Sequence, residues 1–513
     1  MSRKLAILCL YVLCLPAAHG QDHATAEAHH QRAMALYRAR DGAGAIRELM
    51  KAVEADEHYA EAWNDLGVIQ RQRGELKPAI DSFRKAVVEK VGFVNADYNL
   101  ALALEAAGDR TGAIEQARHV IAFAPRLPQG HALYARLLAD TNQLGRAREE
   151  FRQALDLDSN LAHARTGLGA VLIKLGLITE ALAELRQAVE QDSGSAQAHF
   201  QLGLALFQSG AQQDAKAEFE NAVRIEPNLA EARINLGQLE ENEDRIADAI
   251  ENYRAVVRES SNADAALRLA RALIRTQALQ EAKSTLETAI RRHPRNAALH
   301  VEMGKLLNNL GERKEALGEL TIATEISPKE ASSFFELSRV LHDLGKLDQQ
   351  KAALETAIRL DPNAVEARYA LANLARQTGD TAASRSQFAK VQEIRQQQVD
   401  RDLAMGEIRA GVVLAGKHEY DAAIEKFRHA IAINAQLGEA HFNLAGALLE
   451  KGDTDAAIQS FHKAIEIAPQ WAEAHYQLGR ALLQAGRREE AANEFHAALK
   501  YEPAHAGARQ ALR

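Results

Sequence analysis

Nineteen histidines are the residues of this 513-residue sequence best suited to hold a metal or carry a proton. Their spacing argues against both roles. Six of them, His29, His131, His199, His300, His441 and His475, recur at near-multiples of thirty-four residues. Ligands repeated once per structural unit cannot converge on one tetrahedral ion. The nearest approach to a zinc helix, His418-Glu419-Tyr420-Asp421, lacks the second histidine. The two cysteines, Cys9 and Cys14, both lie in an apolar run near the N-terminus, so the remainder offers no thiol nucleophile or thiolate ligand. Paired carboxylates are frequent but fall on charged, solvated helix faces. Nucleophile elbows, phosphate loops, His-Glu-x-x-His and calcium loops are absent from the sequence. No catalytic residues, no metal and no cofactor are expected, so the chemistry left to this chain is binding.

The elements that position these residues are set by a repeat. The phrase Ala-x-x-x-Phe-x-x-Ala returns at Ala79-Phe83-Ala86, Ala147-Phe151-Ala154, Ala215-Phe219-Ala222, Ala457-Phe461-Ala464 and Ala491-Phe495-Ala498. Aligned on it, fourteen units of about 34 residues begin at 26, 60, 94, 128, 162, 196, 230, 263, 297, 331, 365, 404, 438 and 472. Within each, position 8 is Gly, Ala or Ser. Position 20 is Ala in twelve units, with Gln350 and Ser384 as exceptions, and position 24 is apolar throughout. Apolar and small residues at this spacing predict two amphipathic helices per unit, over positions 2–14 and 18–30. Glycine at position 15 in nine units predicts a left-handed turn between them. Proline at position 32 in seven units stops the second helix. A fixed period of this size makes a solenoid whose units pack on their neighbours, yielding long faces in place of one catalytic cleft.

On period, small positions, Phe at 24 and Pro at 32, the chain resembles a tetratricopeptide repeat (TPR) protein over about residues 26–505. Trp63-x-x-Leu66-Gly67 and Ala79-x-x-x-Phe83 follow that pattern, whereas most units replace the Trp of position 4 by His or another residue. The position is read as tolerating any mid-sized ring. The resemblance implies an all-α, helix-turn-helix solenoid wound as a right-handed superhelix, with first helices on the concave face.

It also implies that first-helix positions 2, 5, 6, 9, 12 and 13 face a groove. Position 5 is aromatic at Tyr98, Phe200, Phe335, Tyr369, Phe442 and Tyr476. Position 6 is an amide at, among others, Asn99, Gln201, Asn235, Asn443 and Gln477. An amide offers two donors and an acceptor, which suits a peptide backbone or a glycan hydroxyl; the ring beside it supplies apolar contact. The arrangement is similar to the asparagine ladder in the TPR region of O-linked N-acetylglucosamine transferase, which holds extended peptide. The competing reading is that these amides bond neighbouring helices and the rings are half core. A second feature is basic: Arg271, Lys305 and Arg339 occupy position 9 of three consecutive units, suited to an acidic partner unless Glu302 and Glu336 pair with them.

Residues 1–20 stand apart. Arg3 and Lys4 precede the apolar run Leu5 to Leu15, and Ala18-His19-Gly20 offers small residues before Gln21. This is the pattern of a signal peptide, and the run is short for a membrane span. Residues 26–398 are expected to hold eleven units, 399–403 a helical junction, 404–505 three units and 506–513 a capping stub. Five extra residues at the junction, with no Pro or Gly from Arg385 to Met405, predict an extended second helix there. The net charge of −8, with signs interspersed, has nothing of a nucleic-acid footprint. The function expected is a non-enzymatic exported scaffold, periplasmic or secreted, that binds protein or peptide in its groove, in a setting such as cell-envelope assembly. The alternatives are a glycan-binding module and the recognition arm of a glycosyltransferase whose catalytic domain is on another chain.

Overall fold

The computed structural model describes residues 15–503 and 505–512, and the side chains from Asp22 on within them. The apolar run Leu5 to Leu15 therefore lies outside the described residues, except that the backbone of Leu15 opens α1 (Leu15–Arg38). Twenty-eight helices and no strand occur among the described residues. No helix there is long and apolar enough to cross a membrane. The chain divides into two compact units, one up to His293 and one from Pro294 on.

Each unit is a stack of helix pairs, and the pairing follows from side-chain size. A first helix meets its own second helix where a small residue at position 8 faces the large residue at position 24. A Cβ on Gly203 would stand 2.6 Å from the Phe219 ring. Phe83, Phe219, Phe427, Phe461 and Phe495 are fully buried at this position. Alanine at position 20 is buried beside them, as at Ala215 and Ala457, and lets the two backbones approach. Each second helix then packs on the first helix of the next repeat, so contacts are nearest-neighbour within each compact unit.

Turn geometry is more uniform than composition suggests. The nine position-15 glycines all have positive φ, from 70° at Gly345 to 92° at Gly452. The other five units place Arg40, Asn142, Asp244, Gln277 and His418 there, and these too are left-handed, with φ of 60–64°. The residue changes, but the backbone does not. For these five side chains the conformation carries a strain that glycine avoids.

One helix departs from the pattern. α22 runs unbroken from Thr381 to Gly416, 36 residues, across the junction expected at 399–403. Its first half is the second helix of one repeat: Phe388 meets Tyr369 edge-on at 5.4 Å. Its last turns are the first helix of the next: a Cβ on Gly411 would stand 2.5 Å from Phe427. Between Ile394 and Ala404 no residue is buried. Val399, Leu403 and Val413 are left exposed. Val413 holds position 10, which at Ala205 and Ala481 is fully buried. A regular first helix covers that position with the preceding second helix, and here the two are one helix that cannot pack on itself.

Candidate binding groove

Position 4 shows what joins one repeat to the next. His131 brings Nδ1 to 2.7 Å from the Glu150 carboxylate and Nε2 to 3.1 Å from the Pro125 carbonyl. His199 bridges Glu218 and the Ser193 carbonyl, His300 bridges Glu319 and Pro294, and His475 bridges Glu494 and Pro469. In every case the carbonyl belongs to position 32 of the preceding repeat. The same carbonyl position receives Trp63 Nε1, Arg165, Arg233, Arg368 and His441. The expectation that position 4 merely tolerates a ring is corrected: in nine repeats it supplies an N–H donor long enough to reach back six residues, and Arg serves as well as His or Trp. These histidines are interior ties, and the described residues contain no group of three His, Cys, Asp or Glu disposed to hold a metal ion.

The amides of position 6 are mostly engaged. Asn99 donates to Asn64 Oδ1 on the neighbouring first helix at 3.1 Å. Asn235 and Asn443 donate to carbonyls of their own helices, Glu231 and Glu439, at 2.8 and 2.9 Å. Gln477 donates to Glu473 and accepts from Arg480. The rings of position 5 divide. Phe200 is buried against Phe219 and belongs to the core. Tyr98, Phe335, Phe442 and Tyr476 are half-buried, Phe442 against Trp471 at 4.5 Å and Tyr476 against His505 at 4.7 Å. Tyr369 is exposed.

Two members of the basic run are neutralised on their own helices. Lys305 lies 3.5 Å from Glu302 and Arg339 donates to Glu336 at 2.9 Å. Both pairs lie within one helix, three residues apart, and do not cross between repeats. Arg271 belongs to the first compact unit, and Lys305 and Arg339 to the second.

Two cavities open on first-helix faces, one in each compact unit. In the first, a cavity of about 400 Å³ is lined from α7 (Pro128–Asp140), α9 (Ala162–Lys174) and α11 (Ala196–Gln208), with Gln201 on its wall. Gly167 makes room for it: a Cβ there would stand 2.4 Å from the Phe151 ring. The second compact unit holds a cavity of about 520 Å³, lined from α19 (Ala331–Asp343), α20 (Leu347–Leu360), α21 (Val365–Gln377) and Arg395 of α22. It brings together Phe335, Arg339 and Tyr369 of the expected groove residues and adds Gln350, Asn373 and Arg395. Gln350 had a sequence signal, as a break in the alanine of position 20. Arg395 had none beyond its place in the long helix.

Family models described as tetratricopeptide repeat match residues 30–92, 200–264, 335–398 and 408–470, residues 242–300 and 448–513, and residues 128–161. A model described as TPR repeat matches 171–210. No curated protein matches the chain. Two solved structures are similar to it. One is YrrB, described as a TPR protein with an unusual peptide-binding site, at 21% identity over 36% of this chain and 95% of that one, with a TM-score of 0.31. The other is the APC/C hetero-tetramer Cut9–Hcn1, at 16% identity over 88% of this chain and 95% of that one, with a TM-score of 0.33.

Proposed function

We propose a function from one premise: the chain belongs to the tetratricopeptide repeat family. It is a non-enzymatic scaffold that binds protein or extended peptide partners on the first-helix faces. The observation that carries this reading is the pair of first-helix cavities of about 400 and 520 Å³, each walled by amide, charged and aromatic side chains. Mixed linings of this size fit segments of another chain, with amides for its backbone and rings for its apolar side chains. The opening twenty residues support export to the periplasm or beyond, and an envelope-assembly role follows from export and fold together.

The test is a pull-down from the envelope fraction of the native host, read by mass spectrometry, alongside a glycan array. Protein partners that elute with added salt or competing peptide support the scaffold. Selective glycan binding with no protein partner would replace it by a glycan-binding module. N-terminal sequencing of the native protein tests export: the expected start is near Gln21, and a retained Met1 on a cytosolic protein contradicts it.

A further inference from the structure

We propose that the cavity between α19, α20, α21 and Arg395 is a recognition pocket for a single acidic side chain carried on an extended partner segment. The proposal rests on the peptide-binding reading and assigns it one subsite.

Three observations point to this ligand. The first is Gln350. It occupies position 20, where twelve of fourteen repeats have alanine, and it is 5% exposed. The residue lines the cavity from α20, and its own Oε1 is buried with no hydrogen-bond partner among the described residues. A buried acceptor left unmet is costly, whereas alanine in its place carries no such penalty. A donor arriving with a ligand, such as a backbone N–H, satisfies it. The second is Arg395. Of the two guanidinium groups lining the cavity, Arg339 is tied to Glu336, while Arg395 is exposed and has no ion pair or hydrogen bond among the described residues. An Arg presents a planar fork matched to a carboxylate. Its place on the wall depends on α22, so the cavity belongs to this break in the repeat pattern. The third is the rest of the wall. Phe335 and Tyr369 supply apolar surface for the stem of the side chain and the flanking backbone. Asp343 is already bonded by Asn308 at 2.9 Å, and Glu366 adds a further negative charge. Those two acids repel a run of carboxylates, so a lone Asp or Glu flanked by uncharged residues is the preferred guest.

The experiment is a peptide array probed with the full chain. It uses end-blocked extended peptides with one central Asp or Glu, their Asn and Gln counterparts, and a free-ended set without acidic side chains. The best binders are then titrated against wild type, Gln350→Ala and Arg395→Glu. Gln350→Ala installs the residue usual at its position and Arg395 is exposed, so both variants keep the fold, which thermal unfolding verifies. The expected result is selective binding of the end-blocked acidic set. Arg395→Glu should weaken it roughly tenfold or more and Gln350→Ala severalfold, with an unchanged or raised Tm for the latter. Full affinity in both folded variants overturns the pocket and leaves the groove reading standing. Equal binding of the Asn and Gln counterparts, or binding of the free-ended set alone, overturns the side-chain carboxylate. No binding of any peptide by wild type overturns both the pocket and the groove reading.

Discussion

The repeat from 196 to 229 and the one from 365 into α22 share a register but not a degree of closure. In the former, Phe219 is 1% exposed between its own first helix and its neighbours. In the latter, the equivalent Phe388 is only half-buried, and Ser384 replaces the usual alanine. The difference teaches that the 34-residue register makes helix pairs, while burial depends on a break after the second helix. Where α22 omits that break, the surfaces normally covered by a neighbour remain open, and a cavity with a polar floor lies beside them.

The largest expected effect sharpens this contrast. Phe219→Ala should cost about 3–5 kcal/mol through the cavity it leaves, and Phe388→Ala roughly half of that or less, because less surface is buried there. Chemical denaturation of both variants checks it, and equal losses would break the comparison. Next comes the tie at position 4. His199→Ala removes two hydrogen bonds, to Glu218 and to the Ser193 carbonyl, and should cost about 1–3 kcal/mol. Hydrogen exchange should show the opening centred on the repeats on either side of Ser193.

Asp97 offers a smaller, pH-dependent case. It sits at position 4 where most repeats place a donor, and neither carboxylate oxygen has a hydrogen-bond partner among the described residues. His119 Nδ1 is 3.8 Å away. Burial pushes the Asp97 carboxyl above the usual carboxylate range, against a weaker opposing pull from His119. The folded chain thus holds this proton more tightly than the unfolded chain. Its contribution to stability is therefore most favourable below the ordinary Asp value and declines as pH rises through the folded value. Asp97→Asn should be the more stable form at neutral pH, with the gap closing as pH falls, measured as Tm against pH. A gap that widens on acidification would contradict the sign. The smallest effect belongs to α22: Val399→Lys and Leu403→Lys, both on exposed positions, should change stability by less than about 0.5 kcal/mol in the isolated chain.

Much of this architecture was legible in the sequence because it rests on size and backbone sign. Small residues at 8 and 20, large ones at 24 and glycine at 15 each have one geometric use. What the sequence hid were partners brought together by folding. Trp63, Arg165 and His199 look unrelated until the carbonyl six residues back is seen to receive all three. Asn235 and Asn443 looked like a ladder, yet each bonds a carbonyl one turn away on its own helix. Gln350 stood out as an exception to alanine, but its burial and its unmet oxygen could be read only from the packed helices.

The central claim is that first helices carry the partner. The direct measurement is hydrogen–deuterium exchange on the full chain, with and without a peptide selected from the array. Slowed exchange confined to first helices, with 331–343 and 365–377 strongest, is the result expected. Protection confined to second helices such as 212–225 or 279–292, with the first helices unchanged, would contradict it.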